Sequence, residues 1–135
     1  MEEKVILLPL KKQFADRILE GTQTDEKRTS KFKEPVRAII YVTKVKTVVG
    51  EFMMGPGYGD PIRLPKRKRN YYKNEVSKVI QYENEIPWEE IKKKKPGIRG
   101  IPQMYTYLNP TKVPADLELL KFLEPYKRKG EKLNW

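Results

Sequence analysis

Two stretches of this chain gather side chains that could do chemistry. The first is Gly21-Thr22-Gln23-Thr24-Asp25-Glu26-Lys27-Arg28, eight residues carrying an amide, two hydroxyls, two carboxylates and two cations. Arg28 can grip a phosphate through its planar fork and Lys27 as a point charge. Gln23 can hydrogen-bond a base edge or a carbonyl, but a neutral amide is neither a general base nor a nucleophile. Thr24 offers a hydroxyl, although on a strand it would point away from Gln23. Glu26 and Arg28 would share a strand face, where they could equally pair with each other or with cross-strand neighbours. The second stretch, Lys66-Arg67-Lys68-Arg69 with Tyr71, Tyr72 and Lys73, puts five cations and two rings into eight residues. Cations neutralise phosphates and release counterions, and tyrosine faces can stack on unpaired bases. The bland alternative is a solvated loop whose tyrosines pack back on the domain.

Other chemistries are excluded by composition. With no cysteine and no histidine in 135 residues, there are no disulfides, thiolate nucleophiles or imidazole-based triads, and the usual zinc ligand sets are missing. Catalysis would have to run on carboxylates, lysine, tyrosine, hydroxyls or a carboxylate-held Mg²⁺. The acid pairs Asp25/Glu26, Glu83/Glu85 and Glu89/Glu90 have no spacing that names a metal site, and the last is explained by helix-end electrostatics. No metal and no cofactor are expected. The formal charge of +11 makes a polyanion the default partner. Much of the excess lies in the 66–73 stretch, in Lys92 to Lys95 and in Lys127-Arg128-Lys129.

These residues need a scaffold, and the chain is long enough for one domain with one core. Val5 to Leu8 reads as a short buried strand ended by Pro9. Residues 11–20 read as a helix, since Leu10, Phe14, Ile18 and Leu19 recur at helical spacing, and Gly21 fits the left-handed position that closes it. Propensity alone makes Thr24 to Ser30 a loop. Ala38 to Thr43 and Val45 to Met53, joined at Lys44, read as an antiparallel pair of strands. The density of Gly and Pro from Gly55 to Pro61, followed by the basic run, predicts a long mobile loop over residues 55–73. Val76, Val79, Ile80 and Tyr82 fit a helix face or a strand; β-branching favours a strand over Lys78 to Glu83. Pro87 opens a short helix that Pro96-Gly97 stops. Within it, Glu89/Lys93 and Glu90/Lys94 are spaced to pair on a solvated face. Ile98 to Leu108 reads as a broken strand on which Tyr105 and Tyr107 share a face, for core packing or ligand stacking. Pro114 to Leu123 reads as a last helix with Leu117, Leu120 and Leu123 inward, before a basic tail at 126–135. No apolar run reaches the ~20 residues that span a bilayer, and the N-terminus lacks a leader pattern, so a cytoplasmic protein without membrane partners is expected. Abundant Lys and Glu without Cys also suit a thermophilic source.

The helix, the glycine that ends it and the charged run after it resemble the ASCH domain, a PUA-like β-barrel family with the signature Gly-x-Lys-x-x-Glu-x-Arg at the mouth of a cleft. Gly21, Glu26 and Arg28 match, and Gln23 stands where the lysine would be. Ala38-Ile39-Ile40-Tyr41-Val42 followed by Val48-Val49-Gly50-Glu51-Phe52 is similar to the family's next two strands. Tyr105-Thr106-Tyr107-Leu108 and Pro114 to Leu123 fall where that family closes its barrel and adds a helix. The likeness is good over residues 5–55 and looser afterwards. It implies that Thr24 to Ser30 is a strand edge, and that the cleft receives RNA or a nucleobase-like ligand. A few members are enzymes. Amide-hydrolysing relatives rely on a lysine where Gln23 stands and a hydroxyl where Glu26 stands, so the resemblance supports binding here better than amide hydrolysis.

The expected architecture is α+β, a small PUA-like mixed β-barrel with about three short helices, one domain over residues 1–125. The expected function is binding of RNA, with single-stranded DNA as second choice. Gln23, Thr24, Glu26, Lys27 and Arg28 would form a cleft, and Lys66, Arg67, Lys68, Arg69, Tyr71, Tyr72 and Lys73 would hold the backbone. One alternative is an enzyme on RNA or a modified nucleoside, of ribonuclease or amidohydrolase type, with Glu26 as acid or base, Arg28 as stabiliser and Lys27 assisting. Another is an adaptor docking on an acidic protein. The oligomeric state is not legible.

Overall fold

A computed structural model describes residues 4–94, 97, 100, 101 and 104–130. They form one six-stranded mixed sheet and three helices, in the order β1 (Val5–Leu10), α1 (Lys12–Glu20), β2 (Asp25–Arg28), β3 (Val36–Val42), β4 (Thr47–Arg63), β5 (Asn70–Pro87), α2 (Trp88–Lys94), β6 (Thr106–Leu108) and α3 (Pro114–Gly130). The strands lie side by side as β2-β5-β4-β3-β1-β6. This is the α+β architecture expected from the sequence.

β1 runs parallel to β3, Val5 opposite Arg37 through Leu10 opposite Val42, and is covered on its other edge by antiparallel β6. Its side chains are buried on both faces, which is why Val5 to Leu8 is continuously apolar. Ile6, Leu8, Leu10, Ala38 and Ile40 pack towards α1, while Val5, Leu7, Ile39 and Tyr41 pack towards α2 and α3. Pro9 does not end the strand as expected. The Lys4 and Leu10 carbonyls accept from Arg37 and Thr43 on the β3 side. Even-numbered residues of β1 therefore bond to β3, and the nitrogen of Pro9 faces the other edge. There β6 pairs only with Val5 to Leu7, so its missing donor breaks no ladder bond.

α1 closes as its sequence dictates. Gly21 takes φ 82°, and the Gly21, Thr22 and Gln23 amides donate to the Ile18 and Arg17 carbonyls. This cap aims the chain into β2, which pairs antiparallel with β5, Glu26 opposite Asn74 and Arg28 opposite Tyr72. The strand edge implied by the family resemblance is thus present, where local propensity alone gave a loop.

The expected loop at 55–73 is corrected to the end of a long hairpin. β4 runs on to Arg63 and β5 begins at Asn70, leaving 64–69 as the connection. The ladder slips between Met54 and Gly57 and again between Tyr58 and Ile62. The Gly and Pro residues therefore bend a bulged strand without ending it. At Gly57 a side chain has no room, since a Cβ would run into Lys31 and sit 2.9 Å from Asn74 Oδ1. The segment over Lys78 to Glu83 is strand, inside β5.

Smaller differences follow from packing. β4 starts at Thr47 because Lys44 and Lys46 both take positive φ in the preceding turn and Val45 is exposed. α3 extends past Leu123 to Gly130, through Pro125. Among its described side chains the buried ones are Asp116, Leu119 and Leu123, with Leu117 38% exposed and Leu120 half-buried. The expected broken strand is β6 alone among its described residues. Residues 95, 96, 98, 99, 102, 103 and 131–135, including Lys95 and the end of the expected tail, lie outside the described residues. Among the described residues no helix is long and apolar enough to cross a membrane.

The two outer strands, β2 and β6, do not pair. Just beyond β2, however, Ser30 Oγ lies 3.0 Å from the hydroxyl of Tyr105, just before β6, and Phe32 packs on the Tyr105 ring at 5.7 Å. The sheet therefore curls until its two ends are linked by side chains.

Candidate nucleic-acid interface

A cleft of about 740 Å³ opens where α1, β2 and the 64–69 connection meet. Its walls come from three places in the chain: Lys11, Phe14 and Arg17 at α1, residues 22–28, and Leu64, Arg67 and Tyr71. Five cations (Lys11, Arg17, Lys27, Arg28 and Arg67) face two carboxylates, Asp25 and Glu26. The cleft thus carries the sign of the whole chain.

Glu26 is 8% exposed. Its carboxylate is held from two sides: Arg28 Nε lies 3.4 Å from Oε1, and Gln23 Nε2 donates to Oε2 at 3.4 Å and to the Asp25 carbonyl at 2.9 Å. The Arg28 contact is an ion pair without hydrogen-bond alignment, and this buried Nε has no other hydrogen-bond partner. Burial pushes the Glu26 carboxyl above its ordinary range, Arg28 and Lys27 pull it back, and Asp25 adds to the rise. The Glu26–Arg28 pairing left open by the sequence is therefore made. Gln23, standing where the family motif has lysine, braces that pair as a neutral donor.

The two chemistry-bearing stretches meet here in part. Gln23, Thr24, Glu26, Lys27 and Arg28 all line the cleft, joined by Arg67 and Tyr71. Lys66, Lys68 and Arg69 are exposed on the connection, outside the cleft wall. Tyr72 and Lys73 lie in β5 opposite Arg28 and Lys27. Lys11, Phe14 and Arg17 escaped sequence reasoning, although a signal was there. They fall on one side of α1 ahead of the motif, and the Arg17 guanidinium sits over the Phe14 ring at 5.7 Å. Among the described residues no three acids gather to hold a metal.

One element ties the cleft to the rest of the sheet. Asn74, fully buried in β5, accepts from the Phe32 amide at 3.0 Å and donates to the Ser30 carbonyl at 3.0 Å and the Glu26 carbonyl at 3.4 Å. This fixes β2 and the segment after it.

A second buried charge, missed in the sequence, lies on the opposite face of the sheet. Glu51, 3% exposed, accepts from Arg37 Nε at 2.7 Å and Nη2 at 2.9 Å and from the Tyr82 hydroxyl at 2.8 Å, with Lys127 of α3 at 3.7 Å. It faces α3 and takes no part in the cleft.

No family model matches the sequence, and no curated protein matches it. Among solved structures the chain is similar to ASCH proteins. One mutant form of ZmASCH from Zymomonas mobilis superposes with a TM-score of 0.66 at 17% identity, covering 90% of this chain and 99% of that one. A second mutant form gives 0.63 at 18% identity over 90% and 96%, and the protein without a stated mutation gives 0.66 at 17% over 89% and 96%. The chain has the ASCH-type fold.

Proposed function

We propose that this chain is an ASCH-type RNA-binding module that takes a nucleotide of a single strand into the α1/β2 cleft. The observation that carries the reading is the meeting of Arg28, Arg67 and Tyr71 in one cleft, from stretches about forty residues apart. Two guanidiniums suit phosphate, and Tyr71 offers a ring for a base. With its Nε2 turned to Asp25 and Glu26, Gln23 keeps its amide oxygen to accept from a base edge, and the cleft hydroxyls add further hydrogen-bonding groups. The net charge of +11 favours a polyanion over a neutral small molecule.

The test is binding of a fluorescently labelled single-stranded RNA to wild type, to Arg28→Ala and to a variant with Lys66 to Arg69 neutralised, at several salt concentrations. If about five phosphates are engaged, log affinity should fall with log salt at a slope near −3.5. Both variants should weaken binding. A slope near zero, or no binding by wild type, overturns the reading.

One observation favours a second reading. A buried carboxyl raised above its ordinary range beside an arginine, as at Glu26, is also the setting of a general acid. An enzyme acting on RNA or a modified nucleoside would show turnover in the same samples, lost in Glu26→Gln with affinity retained. Against it, Gln23 supplies no proton acceptor and Glu26 is already paired.

A further inference from the structure

The segment leaving β2 runs from the cleft directly into a second concavity. Arg28 lines the first and Ser30 the second. Two residues of extended chain span at most about 7 Å, so the walls are neighbours. This second groove, about 1030 Å³, is floored by Phe32, Tyr105 and Tyr107 and rimmed by Lys4, Lys31 and Lys33, with Glu34 the one acid among the described residues of its lining.

The rings form a continuous ladder. Phe32 packs on Tyr105 at 5.7 Å, and Tyr105 meets Tyr107 edge to face at 5.9 Å with the planes at 83°. Tyr105 is fixed by Ser30 at its hydroxyl. The last rung, Tyr107, sits on edge strand β6 and stays 46% exposed. A half-exposed ring packed on a second ring, in a groove whose lining includes three lysines, combines what unpaired nucleotides seek: a face to stack on and charge for the phosphates. Lys31 Nζ donates to the Gly59 carbonyl at 3.4 Å, outside the groove lining, a long bond that a phosphate would have to replace.

We infer that this groove is a second nucleotide subsite, in which the strand entering the cleft continues past Arg28 and Ser30 to stack a base on Tyr107, with Lys31 and Lys33 on its phosphates. The inference rests on the RNA-binding reading and adds the substrate class. The ligand is a single strand long enough to bridge both sites, not a free nucleoside.

The test compares a labelled oligouridylate with uridine 5′-monophosphate as ligands. Tyr107→Ala should lower oligonucleotide affinity roughly 5- to 150-fold, the equivalent of one lost stack, and leave mononucleotide binding in the cleft unchanged. Tyr107→Phe keeps the ring and should keep the affinity. The salt slope should hold in Tyr107→Ala and become shallower by about 1.4 in the Lys31→Gln/Lys33→Gln double variant. Ultraviolet crosslinking of wild type, which needs no variant to fold, should place uridine on Tyr107. Unchanged oligonucleotide affinity in Tyr107→Ala, with no crosslink at Tyr105 or Tyr107, overturns the subsite. If Arg28→Ala still weakens binding in that case, the cleft reading stands alone. Wild type that binds no oligouridylate overturns both.

Discussion

Glu26 and Arg28 occupy alternate positions on one face of β2, with carboxylate and guanidinium 3.4 Å apart at the wall of the cleft. Burial works against the Glu26 charge and Arg28 is the largest influence in its favour. Two consequences are measurable. Arg28→Ala should move the Glu26 titration further up, read by NMR of the carboxyl carbon. Stability should also respond to pH in a defined direction. A carboxyl whose folded value lies above its ordinary one binds its proton more tightly when folded. Its contribution is therefore greatest in acid and is lost as pH rises from about the unfolded value through the folded one. Urea denaturation across that window should show this decline in wild type and a flatter profile in Glu26→Gln. Equal slopes in the two proteins would contradict it.

Asn74 should act as a joint. It has no exposure and bonds the Phe32 amide and the Ser30 carbonyl, the segment that separates the two concavities. Asn74→Ala would leave those backbone groups unpaired in a buried setting, at a cost of about 1–3 kcal/mol. RNA affinity should fall as well, although Asn74 lines neither concavity. Urea unfolding and RNA titration of the same sample check both halves. A destabilised variant with unaltered RNA affinity would reduce Asn74 to a packing role.

Another buried charge makes a contrasting prediction. Glu51 receives Arg37, Tyr82 and Lys127 on the α3 face. Glu51→Ala removes the carboxylate they share, and breaking a buried pair this way costs about 3–5 kcal/mol. Burial, and then Glu51, push the Tyr82 hydroxyl well up, so the tyrosine remains a neutral donor throughout the working range. Below its lowered melting temperature the variant should bind RNA as wild type does, because Glu51 lies on the far side of the sheet from α1.

How legible these features were depended on how local their cause is. α1 and its Gly21 cap were readable because a 3.6-residue stripe and a left-handed glycine are properties of adjacent residues. β1 and β3 were readable from unbroken apolar runs. The end of β4 was not. Gly55, Pro56, Gly57, Gly59 and Pro61 are turn residues by local preference, and only the long partner strand β5 turns them into bulges of a ladder. Leu119, not Leu117, faces inward because the buried stripe of α3 begins on Asp116, a charged residue that accepts the Asn109 amide at 2.7 Å and that apolar spacing alone passes over. The motif half of the cleft was visible in Gln23 to Arg28. The half from Lys11, Phe14 and Arg17 depends on how α1 lies against β2. Glu51 was hidden for a related reason: its partners Arg37 and Tyr82 are fourteen and thirty-one residues away.

The basic connection offers the sharpest separation of site from surrounding field. Arg67 lines the cleft with Tyr71, whereas Lys66, Lys68 and Arg69 are exposed and do not line it. Each is one positive charge, so a purely diffuse electrostatic attraction would make Arg67→Gln equivalent to Lys68→Gln. A cleft that grips a phosphate through the planar guanidinium would not. Arg67→Gln should therefore weaken uridine 5′-monophosphate and RNA alike, and Arg67→Lys should recover only part of the loss. Lys68→Gln should leave the mononucleotide untouched and lower RNA affinity only at low salt, where exposed charges act over longer distances. Titrations of both ligands at two salt concentrations measure the difference. Identical behaviour of Arg67→Gln and Lys68→Gln would mean that the connection attracts RNA without shaping the site that receives it.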